Sequence, residues 1–257
     1  MKAAGSTFDR SAASFECHRA LPQGVPKAVR TEICKFTRDR EKLRILDLGA
    51  GTGRIGKAFV EANDFYVAVD ASLAMLQEFR KRSKAALLIQ SDGACLPFAS
   101  HSFDTVMLMQ VLSGAQDWRG LLDEIRRVLR RAGVVAVGHT AHPANGVDER
   151  LKRALGGILK SMDVESHEPR QARKQSLAWL ESESTRNLHV TAASWAGERT
   201  PREFIVRHRS GARFSALPHA VQDAAMQSLS IWAEQEFGSL DESQTEEFRF
   251  ELDMFEF

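Results

Sequence analysis

Between Arg44 and Gly56 the chain reads RILDLGAGTGRIG, and these residue types at this spacing are suited to holding a ligand. Gly49, Gly51 and Gly53 make a turn with no side chains in the way, so backbone N–H groups can come close to a bound molecule. Asp47 precedes the turn, and Asp70 and Asp92 follow at the ends of later apolar runs. A carboxylate at a strand end can accept both hydroxyls of a ribose, one donor to each oxygen. Further on, His139 and His142 carry side chains that titrate near neutral pH and can take a proton from an acceptor. His208 and His219 are less well placed in the sequence.

The elements that must position these groups follow from periodicity. Ile45, Leu46 and Leu48 form an apolar run too short for a helix and bounded by glycine, which predicts a buried parallel strand. Ile55, Ala58, Phe59 and Ala62 then recur at helical spacing, so the turn opens a helix whose N-terminus favours polar or anionic groups. Phe65, Val67 and Val69 alternate into Asp70, a second strand with a carboxylate at its end. Either Asp70 or Ser72 is placed to cap the following helix, which carries Leu73, Leu76 and Phe79. A third strand is expected over Ala86 to Gln90, ahead of Asp92, and a fourth over Thr105 to Met109, ending at Gln110. Trp118, Leu121, Leu122, Ile125, Val128 and Leu129 give a helical stripe with Trp118 in the core, and Val134 to Val137 a fifth strand. In such open sheets ligands sit beyond the carboxyl ends of the strands.

The turn itself admits two readings. Gly51, Gly53 and Gly56 fit G-x-G-x-x-G, the fingerprint of a nicotinamide dinucleotide site, with Asp70 near the expected acidic position. The order acidic-Leu-Gly-x-Gly-x-Gly, beginning at Asp47, instead resembles the first motif of class I S-adenosylmethionine-dependent methyltransferases. The later stretches D-G-x-x-L-P-F from Asp92, S-F-D at 102–104 and E-I-R-R-V-L from Glu124 resemble further motifs of that family. A dehydrogenase needs only the first two β-α units, whereas here acidic residues mark successive strand ends. The resemblance spans residues 8–140 and favours the methyltransferase over an NAD-dependent oxidoreductase.

The resemblance implies a doubly wound, Rossmann-like α/β fold: a mostly parallel sheet with an antiparallel last strand and a helical lid insertion. It implies S-adenosyl-L-methionine as cofactor, with Asp47 near its methionyl end and Gly49, Ala50, Gly51 and Gly53 packed against it. Asp70 with Ala71 would hold the ribose, and Asp92 with Gly93 and Ala94 the adenine amine, a partner that a buried Asp requires. Gln110 stands where the family often places His or Asn near the cofactor, and Arg19 is the implied partner of its carboxylate. Methyl transfer from a sulfonium is an in-line displacement, so the protein supplies chiefly proximity and a water-poor cavity. His139 is the first candidate base, with Gly138 leaving room for close approach, and His142 the second. A binding module without catalysis, or the same fold turned to other chemistry, are the alternatives.

With 257 residues and a formal net charge of +1, the chain fits one methyltransferase domain and gives no electrostatic case for nucleic acid or an anionic membrane. The expected parts are an N-terminal helical arm over residues 1–40, a cofactor core over 41–140, a substrate lid over 141–240 and a final strand over 241–257. The arm's first helix is expected from Phe8 to Pro22 and its second from Pro26 to Phe36. Arg126, Arg127, Arg130 and Arg131 read as the solvated face of one helix. Cys17, Cys34 and Cys95 are scattered, which supports neither disulfides nor a zinc site. No signal core or membrane-length apolar run is seen, so a cytoplasmic protein with a small-molecule acceptor is expected, for which a homodimer is an open arrangement.

In the C-terminal half, Leu151 to Met162 and Gln171 to Leu180 read as helices, and Asn187 to Trp195 as a strand. Glu203 to Arg209 reads as a strand or a helix, with Thr200-Pro201-Arg202-Glu203 favouring a helix start. Val221 to Ala233 is another helix, and Phe248 to Met254 alternates as the last strand, the insert before it covering a small hydrophobic acceptor.

Overall fold

The computed structural model describes residues 12, 20–38, 42–115, 117–164, 169–209, 211 and 214–257. Arg19, Cys17 and nearly all of the helix expected from Phe8 to Pro22 lie outside the described residues. In chain order the elements are α1 (Val25–Phe36), β1 (Arg44–Leu48), α2 (Lys57–Glu61), β2 (Phe65–Asp70), α3 (Leu73–Arg82), β3 (Leu87–Gln90) and β4 (Phe103–Met109). There follow α4 (Trp118–Val128), β5 (Leu129–Ala141), α5 (Val147–Ser161), α6 (Pro169–Glu183), β6 (Arg186–Arg199), α7 (Pro201–Arg209), α8 (His219–Phe237) and β7 (Gln244–Glu256).

The seven strands form one sheet in the order β3-β2-β1-β4-β5-β7-β6. β1 lies parallel to β2 and β4, β2 to β3, and β4 to β5. β7 runs the other way. The Phe257 amide donates to the Gly133 carbonyl while Phe250 lies against Gly138, so β7 descends as β5 rises; the Thr185 amide donates to the Glu256 carbonyl and the Thr191 hydroxyl to Glu251, so it descends beside β6 too. The expected doubly wound Rossmann-like sheet, with an antiparallel last strand, is therefore present.

The central strands are buried along almost their whole length, as parallel strands covered by helices must be. One core joins Leu46, Leu48, Val106 and Val137 of the sheet to Trp118, Leu122 and Ile125 of α4 and Leu180 of α6. Trp118 is thus core, as its place in the stripe predicted.

Two boundaries depart from the periodic reading. The stripe carries on through Leu129, but α4 stops at Val128 and Leu129 is already extended, at φ −76° and ψ 137°. Arg130 and Arg131 therefore belong to β5 and not to the helix face. Arg130 binds Asp104 at 3.0 Å and the His101 carbonyl, long-range partners that a helical Arg130 would forgo. α2 is the second case, with only five helical residues.

The described residues gather into two compact units. The first comprises Met1–Thr140, Glu168–Ala193 and Phe250–Phe257, and the second Ala141–His167 and Ser194–Arg249. α6 and the first half of β6, inside the stretch expected to form the lid, group with the first unit. The second unit has its own core of Leu151 and Leu155 from α5, Phe204 from α7 and Ala225, Met226 and Leu229 from α8. Its α7 begins with the predicted reciprocal cap: the Glu203 amide donates to the Thr200 hydroxyl at 3.2 Å, and the Thr200 amide to the Glu203 carboxylate at 3.4 Å. That resolves Glu203 to Arg209 as helix.

Candidate functional site

The glycine turn leaves β1 with Gly49, Gly51 and Gly53 at φ of +75°, +56° and +78°, a region costly for residues with a Cβ. Only one of the three faces open space. A Cβ on Gly49 would lie 2.5 Å from Val111, and one on Gly53 2.4 Å from the Phe79 ring. Among the described residues, a Cβ on Gly51 would meet nothing within 4 Å. Gly51 is the point at which a ligand can lie against the backbone.

Four of the turn's amide groups are spent inside the protein, contrary to the expectation that they face a ligand. Gly49 and Ala50 donate to the Val69 carbonyl at 2.8 and 3.1 Å, Gly53 to the Ala50 carbonyl, and Gly51 to Asp70 Oδ2 at 2.8 Å. A dinucleotide pyrophosphate needs free N–H groups at a helix N-terminus, and the helix here is the five-residue α2.

Asp70 and Ser72 divide the two roles open to them in the sequence. Ser72 caps α3, its hydroxyl accepting from the Met75 amide at 3.2 Å. Asp70 ends β2 with Oδ2 on Gly51 and Oδ1 on the Ser72 amide at 2.8 Å, which fixes the carboxylate's orientation beside the open glycine. Ala71 is exposed beside it, and its carbonyl accepts from Gln90 of β3.

Asp92 is exposed and not buried as expected. Its Oδ1 accepts from the Ala94 amide at 3.0 Å, forming a local turn past β3. Gly93 is held close, since a Cβ there would lie 2.6 Å from Leu121. The Leu96-Pro97-Phe98 turn beyond it is clamped from α4. Arg127 donates to the Leu96 and Phe98 carbonyls at 3.0 and 2.7 Å, and Glu124 accepts from the Leu96 amide at 2.7 Å. Arg127 and that amide hold the Glu124 carboxyl at a pKa of about 2. Arg127 is therefore a loop-holding residue and not part of a solvated face.

At the end of β4, Gln110 adopts φ +64° and joins three strand-end elements. Its carbonyl accepts from Arg54 of the glycine turn at 2.8 Å, its side-chain amide donates to Thr140 at 3.0 Å, and its backbone amide donates to the Gly138 carbonyl. Arg54 gave no motif signal; only its place inside the turn could have drawn attention.

Asp47 is buried in the middle of β1, with Oδ2 accepting from the Tyr66 hydroxyl at 2.5 Å. Burial, opposed by that hydrogen bond, raises its pKa to about 7.

The histidines differ from the expectation. The space at Gly138 is filled, because a Cβ there would lie 2.5 Å from the Met109 sulfur and 2.7 Å from the Phe250 ring. His139 turns to α6, where Arg173 approaches its Nδ1 at 3.0 Å. Burial, and then the charge of Arg173, lower the His139 pKa. His142 belongs to the second unit. Its buried Nδ1 finds no hydrogen-bond partner among the described residues, with Asp148 Oδ2 3.4 Å away, its ring stands edge-on to Phe248, and burial lowers its pKa to about 4. No group of three or more metal-ligating side chains occurs among the described residues.

This geometry agrees with comparison to known proteins. Residues 46–137 match the methyltransferase domain model. The chain is 32 % identical over 163 residues to a demethylmenaquinone methyltransferase of Streptomyces avermitilis, covering 61 % of this chain and 71 % of that one. The chain belongs to the class I S-adenosylmethionine-dependent methyltransferases. A malonyl-[acyl-carrier protein] O-methyltransferase of Salmonella typhimurium is 32 % identical over 135 residues, 52 % of each chain. The chain spans 47 % to 71 % of the length of such curated methyltransferases. The YcgJ protein of Bacillus subtilis shares the fold, with a TM-score of 0.55 at 18 % identity over 89 % of this chain and 98 % of that one. The family's cofactor is S-adenosylmethionine, and the residues present fit it: an open glycine, a strand-end carboxylate beside it, and a buried carboxylate oxygen that finds no donor among the described residues.

Proposed function

We propose that the chain transfers a methyl group from S-adenosylmethionine to an oxygen, nitrogen or carbon of a small, largely apolar molecule. The observation that carries the reading is the Asp70 carboxylate, locked between the Gly51 and Ser72 amides beside the only one of the turn's three positive-φ glycines that faces open space. In this reading Asp70 with Ala71 takes the ribose hydroxyls, and Gly49, Ala50, Gly51 and Gly53 let the nucleoside lie against the turn. Asp92, Gly93 and Ala94 border the base, while Asp47 and Gln110 serve the methionyl end. The consumed turn amides support this cofactor over NAD.

The bound cofactor supplies an already activated methyl on a sulfonium, so the chain's own work is orientation and exclusion of water. The names of two relatives, a demethylmenaquinone methyltransferase and a malonyl-[acyl-carrier protein] O-methyltransferase, support methyl transfer itself. The net charge of +1 supports a small-molecule partner and not a nucleic acid, and no described helix is long and apolar enough to cross a membrane. Titration calorimetry should give saturable binding of S-adenosylmethionine and none of NAD. Release of S-adenosylhomocysteine with an acceptor panel would then test turnover. NAD binding without a response to S-adenosylmethionine would end this reading.

A further inference from the structure

Beneath the glycine turn lies a closed stack of residues that the cofactor reading leaves unexplained. Tyr66, the only tyrosine of the chain, is 3 % exposed and lies between Phe59 and Phe79, with ring centroids 6.1 and 6.2 Å away. Its hydroxyl donates to Asp47 Oδ2. Phe79 fills the space under Gly53, and a Cβ on Gly56 would lie 1.9 Å from the Tyr66 hydroxyl and 3.1 Å from Asp47 Oδ2. Gly53 is thus required by Phe79, and Gly56 by the Tyr66–Asp47 pair itself.

The pair is incomplete. Asp47 is 2 % exposed and its Oδ1 finds no hydrogen-bond partner among the described residues. A buried carboxylate with one unsatisfied oxygen is held as an anion only at a cost, and it takes up a proton unless a donor or cation arrives. Among the described residues, the groups facing it supply no donor to Oδ1. From β2 these are Tyr66 and, at the strand's end, Asp70, whose negative charge opposes ionisation. From the turn it is Gly56, and from β4 the in-register Met107. The cofactor carries positive charge on its sulfonium and on its methionyl ammonium.

Resting on the S-adenosylmethionine reading, we infer that Tyr66 is a positioning residue that holds Asp47 for a cationic part of the cofactor, and that binding drives a proton off Asp47. The carboxyl proton leaves to solvent as the cation takes its place. Tyr66 donates to the anion and so eases that ionisation, offsetting part of the cost of burial. Affinity is then tied to the free protein's readiness to ionise Asp47 and rises between pH 5.5 and 7.5.

The test is calorimetric titration of the full chain with S-adenosylmethionine at pH 6 and pH 7.5, in buffers of different ionisation enthalpy. The wild type should release close to one proton per site at pH 6 and bind roughly tenfold more tightly at pH 7.5, as expected for a group half ionised near neutrality. Tyr66→Phe should bind more weakly by about 10-fold or more at pH 6, with a smaller deficit at pH 7.5, since a hydrogen bond to a charged group is lost. Asp47→Asn should release no proton and show no such pH dependence. If Tyr66→Phe misfolds, the proton count of the wild type and of Asp47→Asn still decides the matter. Binding by the wild type without proton release, or an equal deficit of Tyr66→Phe at both pH values, overturns the inference and leaves the cofactor reading standing. No binding by the wild type at either pH overturns that reading itself.

Discussion

The Gly51 amide donates to Asp70 Oδ2 at 2.8 Å, tying the open glycine of the turn to the carboxylate that ends β2. The bond spans 19 positions of sequence and joins β1's turn to the neighbouring strand's end. Removing the charge while keeping the shape separates ligand holding from architecture. Asp70→Asn should weaken S-adenosylmethionine binding by about 10- to 100-fold, the range for losing charge-assisted hydrogen bonds. Ser72→Ala should instead lower stability by about 1 kcal/mol through the lost cap, with cofactor affinity unchanged. Calorimetry and urea unfolding of the two variants check the division, and interchanged effects would reverse the assignment.

The contrast between these neighbours shows what could be read in advance. The buried strands were legible because apolar runs bounded by glycine have few other uses, and the capping choice was narrowed to two adjacent residues. Which of the two caps α3 depended on where the Gly51 amide pointed, and that is settled across strands. The same holds for Tyr66 and Asp47, for Arg127 on the Leu96-Pro97-Phe98 turn, and for Arg173 on His139: each pair is distant in sequence and leaves no periodic trace. The α4–β5 boundary was misplaced because Leu129 continues the helical stripe, while partners on β4 and its preceding loop draw Arg130 into the strand.

The glycine turn offers a second discrimination. Gly51→Ala places a Cβ in open space, so its cost to folding is the positive φ alone, about 1–2 kcal/mol. Gly53→Ala adds a clash with Phe79 at 2.4 Å to a similar φ. The expected result is a folded Gly51→Ala protein with strongly reduced cofactor affinity, and a Gly53→Ala protein losing stability first. Thermal melting and calorimetry on both variants measure this. Unchanged affinity in Gly51→Ala would show that the ligand lies elsewhere.

In the second unit, His142 couples stability to pH. Burial lowers its pKa from the ordinary 6.5 to about 4, so the unfolded chain binds a proton there at a pH where the folded chain does not. Stability from this group is present above about pH 6.5 and falls as the pH drops towards 4, by at most about 1.4 kcal/mol per unit. His142→Phe, which keeps an aromatic ring against Phe248, should flatten the slope of unfolding free energy in that window. Urea titrations between pH 4 and 7 give the slope directly, and an unaltered slope would place the acid sensitivity in other groups.

His139 and Arg173 bear on whether a base takes part. A guanidinium only donates, so the Nδ1 that it approaches at 3.0 Å must accept, and the neutral ring then carries its proton on Nε2. Such a ring can donate a hydrogen bond to an acceptor but has no free lone pair with which to remove a proton. Burial and the Arg173 charge also lower its pKa, which keeps it neutral. Nitrogen chemical shifts should therefore report the Nε2–H tautomer and a midpoint below the ordinary histidine value. Arg173→Met should move that midpoint upward, because the larger of the two charges that lower it, Arg173 and His189, is gone while the nearby Asp253 and Glu251 still raise it. Once an acceptor is found, His139→Gln, which retains a donor, should keep turnover within about tenfold of the wild type. Loss of a true general base would cost about 10²–10⁴-fold, and a drop of that size would restore His139 to the proton-removing role.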